Sequence, residues 1–360
     1  MPIDDEFDVA IVGGGPAGTA AALTLLRHTK RRVLVVERGD YSQWRAGETL
    51  SPGVTPLLQY LGIDLHESRH VRAFGTVAAW GSEHAVSRDF LFTGRGEGWN
   101  LDRRAFDRAL ADAVVAAGGT LRTNTPVSNR GDLPARFVID ASGRHAAIAR
   151  ANGARPQLDD HLTGLVTLLP RNDDVDQSTL VEAVPYGWWY SAPVPDGLVV
   201  ALMTDADVVR ERRLTDGESW LSALEETTHT SRRAEATPVR RQCAAPSVYP
   251  AHSQILDSLH GDDWIAAGEA AVAFDPLSSM GIGYALTSGI SAAREADMVL
   301  NGHSEHLNAY AADVARHYDA YRTRRNAYYA MEKRWPHEPF WQRRQSSSAL
   351  SALRPHVVVP

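Results

Sequence analysis

Cysteine is nearly absent from this chain of 360 residues. Cys243 stands alone, which excludes an intramolecular disulfide and a cysteine-cluster metal site, and its expected role is that of a buried structural thiol. Lysine is almost as scarce. Of 37 Lys and Arg residues only Lys30 and Lys333 are lysines, so chemistry that needs a primary amine has two candidates. No apolar run is long enough to span a bilayer. The N-terminal MPIDDEF has no basic segment followed by an apolar one, so no secretory signal is expected and the expected location is the cytoplasm. The 14 histidines place no H-x-x-x-H or H-E-x-x-H pair on a convincing helix with a third ligand, which argues against a metal. No G-x-S-x-G nucleophile motif, internal repeat or low-complexity linker is found. A net charge of −7 argues against a nucleic-acid partner.

What is present starts at the N-terminal end. The length is large for a single core, so two lobes are expected. FDVAIVGGG reads as a short buried strand entering a glycine turn. AGTAAALTLLRH then reads as a helix and RRVLVVER as the next strand. Gly13, Gly15 and Gly18 make G-x-G-x-x-G, and Glu37 ends the second strand. Strand, turn, helix, strand and acid together are the context of a dinucleotide site. Gly13 permits the turn, Gly15 lets a pyrophosphate approach, and Gly18 lets the helix pack on the sheet. The helix N-terminus offers N–H groups to phosphate, and Glu37 can accept from ribose hydroxyls.

Three further stretches carry a resemblance. FVIDASGR (137–144) and DDWIAAGEAAVAFDP (262–276) each read as a strand ending in small residues, and NLDRRAFDRAL (100–110) reads as an amphipathic helix. In that order they resemble the flavoprotein monooxygenases of the para-hydroxybenzoate hydroxylase type. The resemblance implies an α/β fold: a Rossmann-like FAD-binding domain of the glutathione-reductase type, interleaved with a mixed or antiparallel substrate sheet, and a C-terminal helical segment. The implied boundaries are 1–72, 99–160 and 246–303 for the FAD lobe, 73–98 and 161–245 for the substrate lobe, and 304–360 for the C-terminal segment. It also implies non-covalent FAD, with contacts from Arg45, Arg103, Asp140, Gly143, Gly268 and Glu269. Glu269 stands where the family carries Asp. In DPLSSMGIGYAL (275–286) the same resemblance implies a loop passing the flavin ring through Ser279, Gly281 and Ile282. It opens a helix whose N-terminus stabilises the negative charge of reduced flavin.

RAGETLSPGVTPLLQYLGI (45–63), GWWYSAPVP (187–195) and FDPLSSMGI (274–282) resemble segments of flavin-dependent halogenases. In those enzymes a lysine after the first segment holds or activates hypohalous acid. Here that region reads HVRAFGTVAAW, with Arg72 as its base, and a guanidinium does not substitute for an amine. The assisting Glu of the halogenase loop falls on Ser278, and its Ser-Thr on Ser279-Met280. Several separated motifs, with YYAMEKRWPHEPFWQRR, resemble flavoproteins that mature tryptophylquinone enzymes. The implied reaction is FAD-dependent hydroxylation of an electron-rich aromatic through a flavin C4a-hydroperoxide, with O₂ and with electrons from NAD(P)H or a separate flavin reductase. Halogenation, a geranylgeranyl-type flavin reduction and a non-catalytic flavin-binding maturation factor remain alternatives.

GWWYSAPVP as a strand turns Trp188 and Tyr190 to one side and Trp189 and Ser191 to the other. Trp188, Trp189, Tyr190, Ser278 and Met280 are the expected pocket for an aromatic small molecule or a tryptophan in a polypeptide. Glu48 is the candidate catalytic base and Arg45 its partner. The stretch 207–230 reads as two short charged helices that form a lid, a docking surface or a plain solvated face. Tyr310, Tyr318, Tyr321 and Tyr328 are expected to pack a long C-terminal helix onto the body. No membrane partner is expected.

Overall fold

The computed structural model describes residues 6–66, 69–93, 96–170, 176–235 and 245–345; Cys243 lies outside them. Five parallel strands form the first sheet, in the order Trp264–Ala266, Ala135–Asp140, Phe7–Val12, Val33–Val36 and Thr120–Arg122. Both faces are covered, which is why Phe7–Val12 and Val33–Val36 read as nearly unbroken apolar runs. In register, Val12 lies opposite both Val36 and Asp140. The glycine turn and the Asp-Ala-Ser-Gly turn therefore leave the sheet side by side.

Helix Pro16–His28 follows the glycine turn, and helix Gly281–Leu300 crosses it. The crossing is close because small residues line it. A Cβ on Gly289 would sit 2.1 Å from the carbonyl oxygen of Ala17, and one on Gly268 would sit 2.7 Å from the Ala17 Cβ.

The second large sheet has seven strands, in the order Ser247–Pro250, Leu162–Leu169, Gly197–Asp205, Gly187–Val194, Thr179–Val184, Gly75–Ala79 and Val86–Asp89. Only the pair Thr179–Val184 with Gly75–Ala79 is parallel. Residues 247–250, read with the FAD lobe from sequence, extend this sheet instead by pairing with Leu162–Leu169. A three-stranded sheet, Thr49–Leu50, Gly98–Leu101 and His70–Ala73, touches the seven-stranded one at Gly187–Val194.

Each face of the seven-stranded sheet has its own core. One packs Trp188, Val181, Val199 and Ala201 against Tyr329, Phe340 and Trp341 of the C-terminal segment. The other packs Trp189, Leu165 and Leu202 against Leu214, Trp220 and Leu224. The stretch 207–230 thus belongs to three short helices, Ala206–Glu211, Gly217–Glu225 and His229–Glu235. Their apolar residues cover the sheet, and their charge lies on the solvated side of that packing, as a plain solvated face requires.

Helix His306–Met331 runs along the body. Tyr310, Tyr318 and Tyr321 are buried on it and Tyr328 partly so, while Tyr329, not singled out from sequence, is wholly enclosed. This helix grips the loop that opens helix Gly281–Leu300. The buried Asp275 carboxylate accepts from Arg325 Nε at 3.3 Å and from the Tyr329 hydroxyl at 2.8 Å, and its backbone N–H donates to the Tyr321 hydroxyl at 2.8 Å.

Gly289→Ala tests the helix crossing. The added methyl meets backbone, which cannot swing aside, so a loss of about 1–3 kcal/mol is expected. Thermal unfolding reads it as a lower Tm; an unchanged Tm would show that the helices separate freely.

Candidate functional site

The site begins at the glycine turn. Gly13 adopts φ +105, a left-handed conformation open to glycine, and a Cβ there would also strike the Ala141 carbonyl. The next residue brings in the acid: Gly14 N–H donates to Glu37 Oε2 at 2.7 Å, and Gly39 N–H donates to Oε1 at 2.9 Å. Arg45 Nη2 lies 3.4 Å from the same Oε1. Glu37 therefore braces the turn, with both carboxylate oxygens engaged. Tyr41, missed from sequence, donates its hydroxyl to Gly14 O at 3.1 Å. The run of three glycines was the available signal, since a Cβ on Gly14 would lie 2.1 Å from that hydroxyl.

Beside the turn, space is left open. A Cβ on Gly15 or Gly281 would meet nothing within 4 Å. Gly15 precedes helix Pro16–His28 and Gly281 opens helix Gly281–Leu300. In the first, Pro16 has no N–H and bonding starts with Thr19 N–H to Gly15 O at 3.0 Å, which leaves the N–H groups of Ala17 and Gly18 free; in the second, the first three N–H groups have no intrahelical acceptor and bonding starts with Tyr284 N–H to Met280 O at 2.8 Å. Ser279 takes a left-handed turn at φ 49 just before it. Two helix N-termini, a carboxylate at the end of the second strand, the partly exposed Arg45 and unfilled space at two glycines fit FAD, whose phosphates and reduced ring both carry negative charge. Glu269 is about half exposed (46%) and pairs with Arg144 at 3.4 Å. Among the described residues no group of three His, Cys, Asp or Glu side chains could hold a metal.

Other residues expected on the cofactor have work elsewhere. Asp140 Oδ2 accepts the N–H groups of Ile148 at 2.9 Å and Ala149 at 2.8 Å, and Oδ1 accepts from the Ser142 hydroxyl at 2.6 Å. It caps the helix Ala147–Ala151 and shapes the turn carrying Gly143. Gly268 N–H donates to Ser288 Oγ at 2.9 Å, tying that turn to the crossing helix. Arg103 donates to Asp107 Oδ2 at 3.0 Å and to the carbonyls of Ala46 at 3.2 Å and Gly47 at 2.9 Å. It thus holds the Arg45–Glu48 loop from behind. Burial alone would lower its pKa, but Asp107 outweighs burial and raises it.

Glu48 is buried at the junction of the two lobes. Oε1 accepts from the Tyr190 hydroxyl, and Oε2 accepts Gly47 N–H at 3.0 Å. The Tyr190 oxygen also lies 2.6 Å from Thr49 Oγ1, which donates to Asn100 Oδ1 at 3.1 Å. Burial pushes the Glu48 carboxyl above its ordinary value, against the opposing Tyr190 contact and Arg103 charge. Thr49 and Asn100 carried no signal of their own in the sequence. A cleft beside this cluster is lined by Trp44, Arg45, Glu48, Arg103, Val194 and Asp196, among others.

The alternation in GWWYSAPVP is as read, but the two tryptophans are not open to a cleft. Trp189 packs edge-on against Trp220, 5.2 Å between centroids, on the face turned away from Glu48. Trp188 is enclosed by Trp80 and Tyr329 and donates Nε1–H to the Tyr329 hydroxyl at 3.0 Å. Tyr190 alone of the three reaches the junction. Ser278 donates its hydroxyl to Asp275 O at 2.8 Å, and Met280 is half-buried against the first core. Arg72 pairs with Glu97 and lies over the Trp99 ring at 5.7 Å.

Comparison with known proteins identifies the family and the fold. A family model described as FAD binding domain matches residues 8–164, and one described as Tryptophan halogenase matches residues 99–357. The chain is similar to the putative FAD-dependent oxidoreductase LodB of Marinomonas mediterranea, 35% identical over an alignment of 371 positions that covers 96% of this chain and 99% of that one. In fold it is similar to the myxobacterial chondrochloren halogenase CndH, with a TM-score of 0.80 at 19% identity over 94% of this chain and 85% of that one. It is likewise similar to the peptidyl tryptophan dihydroxylase QhpG, essential for tryptophylquinone cofactor biogenesis, with a TM-score of 0.79 at 23% identity over 97% of this chain and 81% of that one.

Gly15→Ala separates folding from cofactor binding. The new methyl has room and an ordinary backbone conformation (φ −78), so Tm without cofactor should hold. The methyl fills the space assigned to pyrophosphate, so FAD affinity should fall by about tenfold or more, roughly 1.4 kcal/mol. Equal FAD titration curves for the two proteins would move the pyrophosphate elsewhere.

Proposed function

The chain belongs to the tryptophan halogenase family and is an FAD-dependent oxidoreductase, and from that premise we propose that it is a monooxygenase. In this reading it places oxygen, not halogen, on the indole ring of a tryptophan carried in a polypeptide. The observation that carries the reading is where its lysines are. Lys30 and Lys333 are both exposed. Lys30 lies beyond the far end of helix Pro16–His28, about 20 Å from the glycine turn at 1.5 Å per residue. Lys333 follows helix His306–Met331. Arg72, in the region where halogenases carry their lysine, is a guanidinium engaged with Glu97.

The choice of a polypeptide substrate rests on the shape of the aromatic wall. A closed chamber for a free ring would need Trp188 or Trp189, and both are packed away. Among the described residues the partly exposed rings on that side of the sheet are Trp44, Trp80, Tyr190, Tyr249 and Trp335, which would meet a side chain presented from a larger surface. QhpG, a peptidyl tryptophan dihydroxylase by name, supports the same reading.

Bound and reduced FAD supplies the electrons for activating O₂. This chain's groups do the rest. Glu37 and the glycine turn hold the nucleotide end. The N-terminus of helix Gly281–Leu300 offers N–H groups to negative charge. The seven-stranded sheet with its C-terminal cover keeps water from one wall of the site. One dinucleotide fingerprint is present, so electrons come from transiently bound NAD(P)H or from a separate flavin reductase.

The test supplies reduced FAD, O₂ and excess bromide with either a tryptophan-containing polypeptide or free tryptophan. Mass spectrometry should find one or two added oxygen atoms on the polypeptide, with turnover exceeding that of free tryptophan by about tenfold or more. A brominated product would make the protein a halogenase. An unmodified polypeptide that binds equally well without reduced FAD would make it a binding factor.

A further inference from the structure

The cluster at the lobe junction contains a proton count that does not close while Glu48 is ionised. Three contacts run in series: Glu48 Oε1 to the Tyr190 hydroxyl, that hydroxyl to Thr49 Oγ1 at 2.6 Å, and Thr49 Oγ1 to Asn100 Oδ1 at 3.1 Å. Tyr190 and Thr49 bring one hydroxyl proton each. If Tyr190 donates to Glu48 and Thr49 donates to Asn100, two oxygens face each other at 2.6 Å with no proton between them. A third proton is needed, and there are two sources.

One source is the Asn100 amide. Turning it would let Nδ2 donate to Thr49 and free the Thr49 proton for Tyr190. As placed, Nδ2 is buried without a partner; turning the group leaves Oδ1 in that orphan position, so the defect is exchanged and not removed. The other source is Glu48. A proton on Oε1 lets every contact run in one direction, from Glu48 to Tyr190, to Thr49, to Asn100 Oδ1. Oε2 stays an acceptor for Gly47 N–H at 3.0 Å.

We propose that Glu48 stands protonated in the resting protein and serves as a proton donor, and that Tyr190, through Thr49 and Asn100, is the positioning residue that sets this state. The surroundings agree. Glu48 is buried, and among the described residues no ion pair reaches it. The charged groups nearest are Arg103, held by Asp107 and two carbonyls, and Arg45, held by Glu37 and Asp107; Asp102 and Asp196 line the adjoining cleft. Burial favours the neutral acid. When Glu48 gives up its proton to a basic atom in the cleft, the series reverses without further loss. Tyr190 then donates to Glu48, Thr49 donates to Tyr190, and the amide turns its N–H toward Thr49. The protonation state is independent of the proposed reaction; only the destination of the proton rests on that reading.

Infrared difference spectroscopy of FAD-loaded wild-type protein against Glu48→Gln at neutral pH is the test. Loss of the carbonyl stretch of a neutral carboxylic acid is expected; loss of the paired stretches of a carboxylate overturns the proposal. The Gln side chain imitates the neutral acid, so FAD Kd should stay within about twofold of wild type, whereas a needed negative charge would weaken it. Should Glu48→Gln fail to fold, wild type carrying carbon-labelled glutamate gives the same answer. A neutral-acid band should persist at neutral pH and change frequency in Tyr190→Phe, and a labelled spectrum without that band overturns the proposal. None of these outcomes depends on which product the enzyme makes.

Discussion

Everything in the site depends on how closely two helices approach at Ala17. Gly289 passes its carbonyl where no side chain fits, and Gly268 passes its methyl. Gly289 brings little burial of its own, and a helix interior disfavours it by roughly 1 kcal/mol relative to alanine; Gly268 sits in a turn at φ +61, where glycine is favoured. What they permit is a crossing tight enough to fix helix Gly281–Leu300 relative to the glycine turn. The free N–H groups at the starts of the two helices are thereby set in one frame. A dinucleotide with charge at its phosphates and charge developing at its ring needs both ends held at once. The fold meets that need with backbone alone.

The second constraint is the clamp on the loop between them. Asp275 is buried with Arg325, which also reaches Asp160, and with Tyr329, which accepts from Trp188. A buried ion pair adds little net stability, since desolvation offsets attraction. Here it sets position. The loop bearing Ser278, Ser279 and Met280, the C-terminal helix and the strand bearing Trp188 and Tyr190 meet at one carboxylate. Tyr190 then reaches Glu48 and Thr49 from that strand, so the seven-stranded sheet is tied through polar links to both loops, the one bearing Glu48 and the one bearing Asp275.

Much of this was legible in the sequence where the signal is local. The glycine turn, the helix after it and the acid closing the second strand follow from spacing. The alternation of Trp188 and Tyr190 against Trp189 follows from strand geometry. The part that failed is non-local. Whether a strand tryptophan lines a cleft depends on what covers it, and the covers are Trp220 for one and Tyr329 with Trp80 for the other. No periodicity links those positions. Asp140 was expected on the cofactor through the family resemblance; its carboxylate accepts from Ser142, Ile148 and Ala149 and so caps a helix of five residues, too short to announce itself in the sequence. Tyr190 and Glu48 are 142 positions apart, and their contact exists only because two sheets meet.

In the proposed reading, oxygen transfer and halogen transfer on a shared scaffold are separated by Arg72, a guanidinium held by Glu97, standing in the region where halogenases carry their lysine. The most direct measurement is the origin of the atom that the aromatic product gains. Turnover of the tryptophan-bearing polypeptide under isotopically labelled dioxygen, with ordinary water and with halide present, is predicted to place the label on the indole ring. A product that carries halogen, or oxygen that arrives unlabelled from water, would contradict the account.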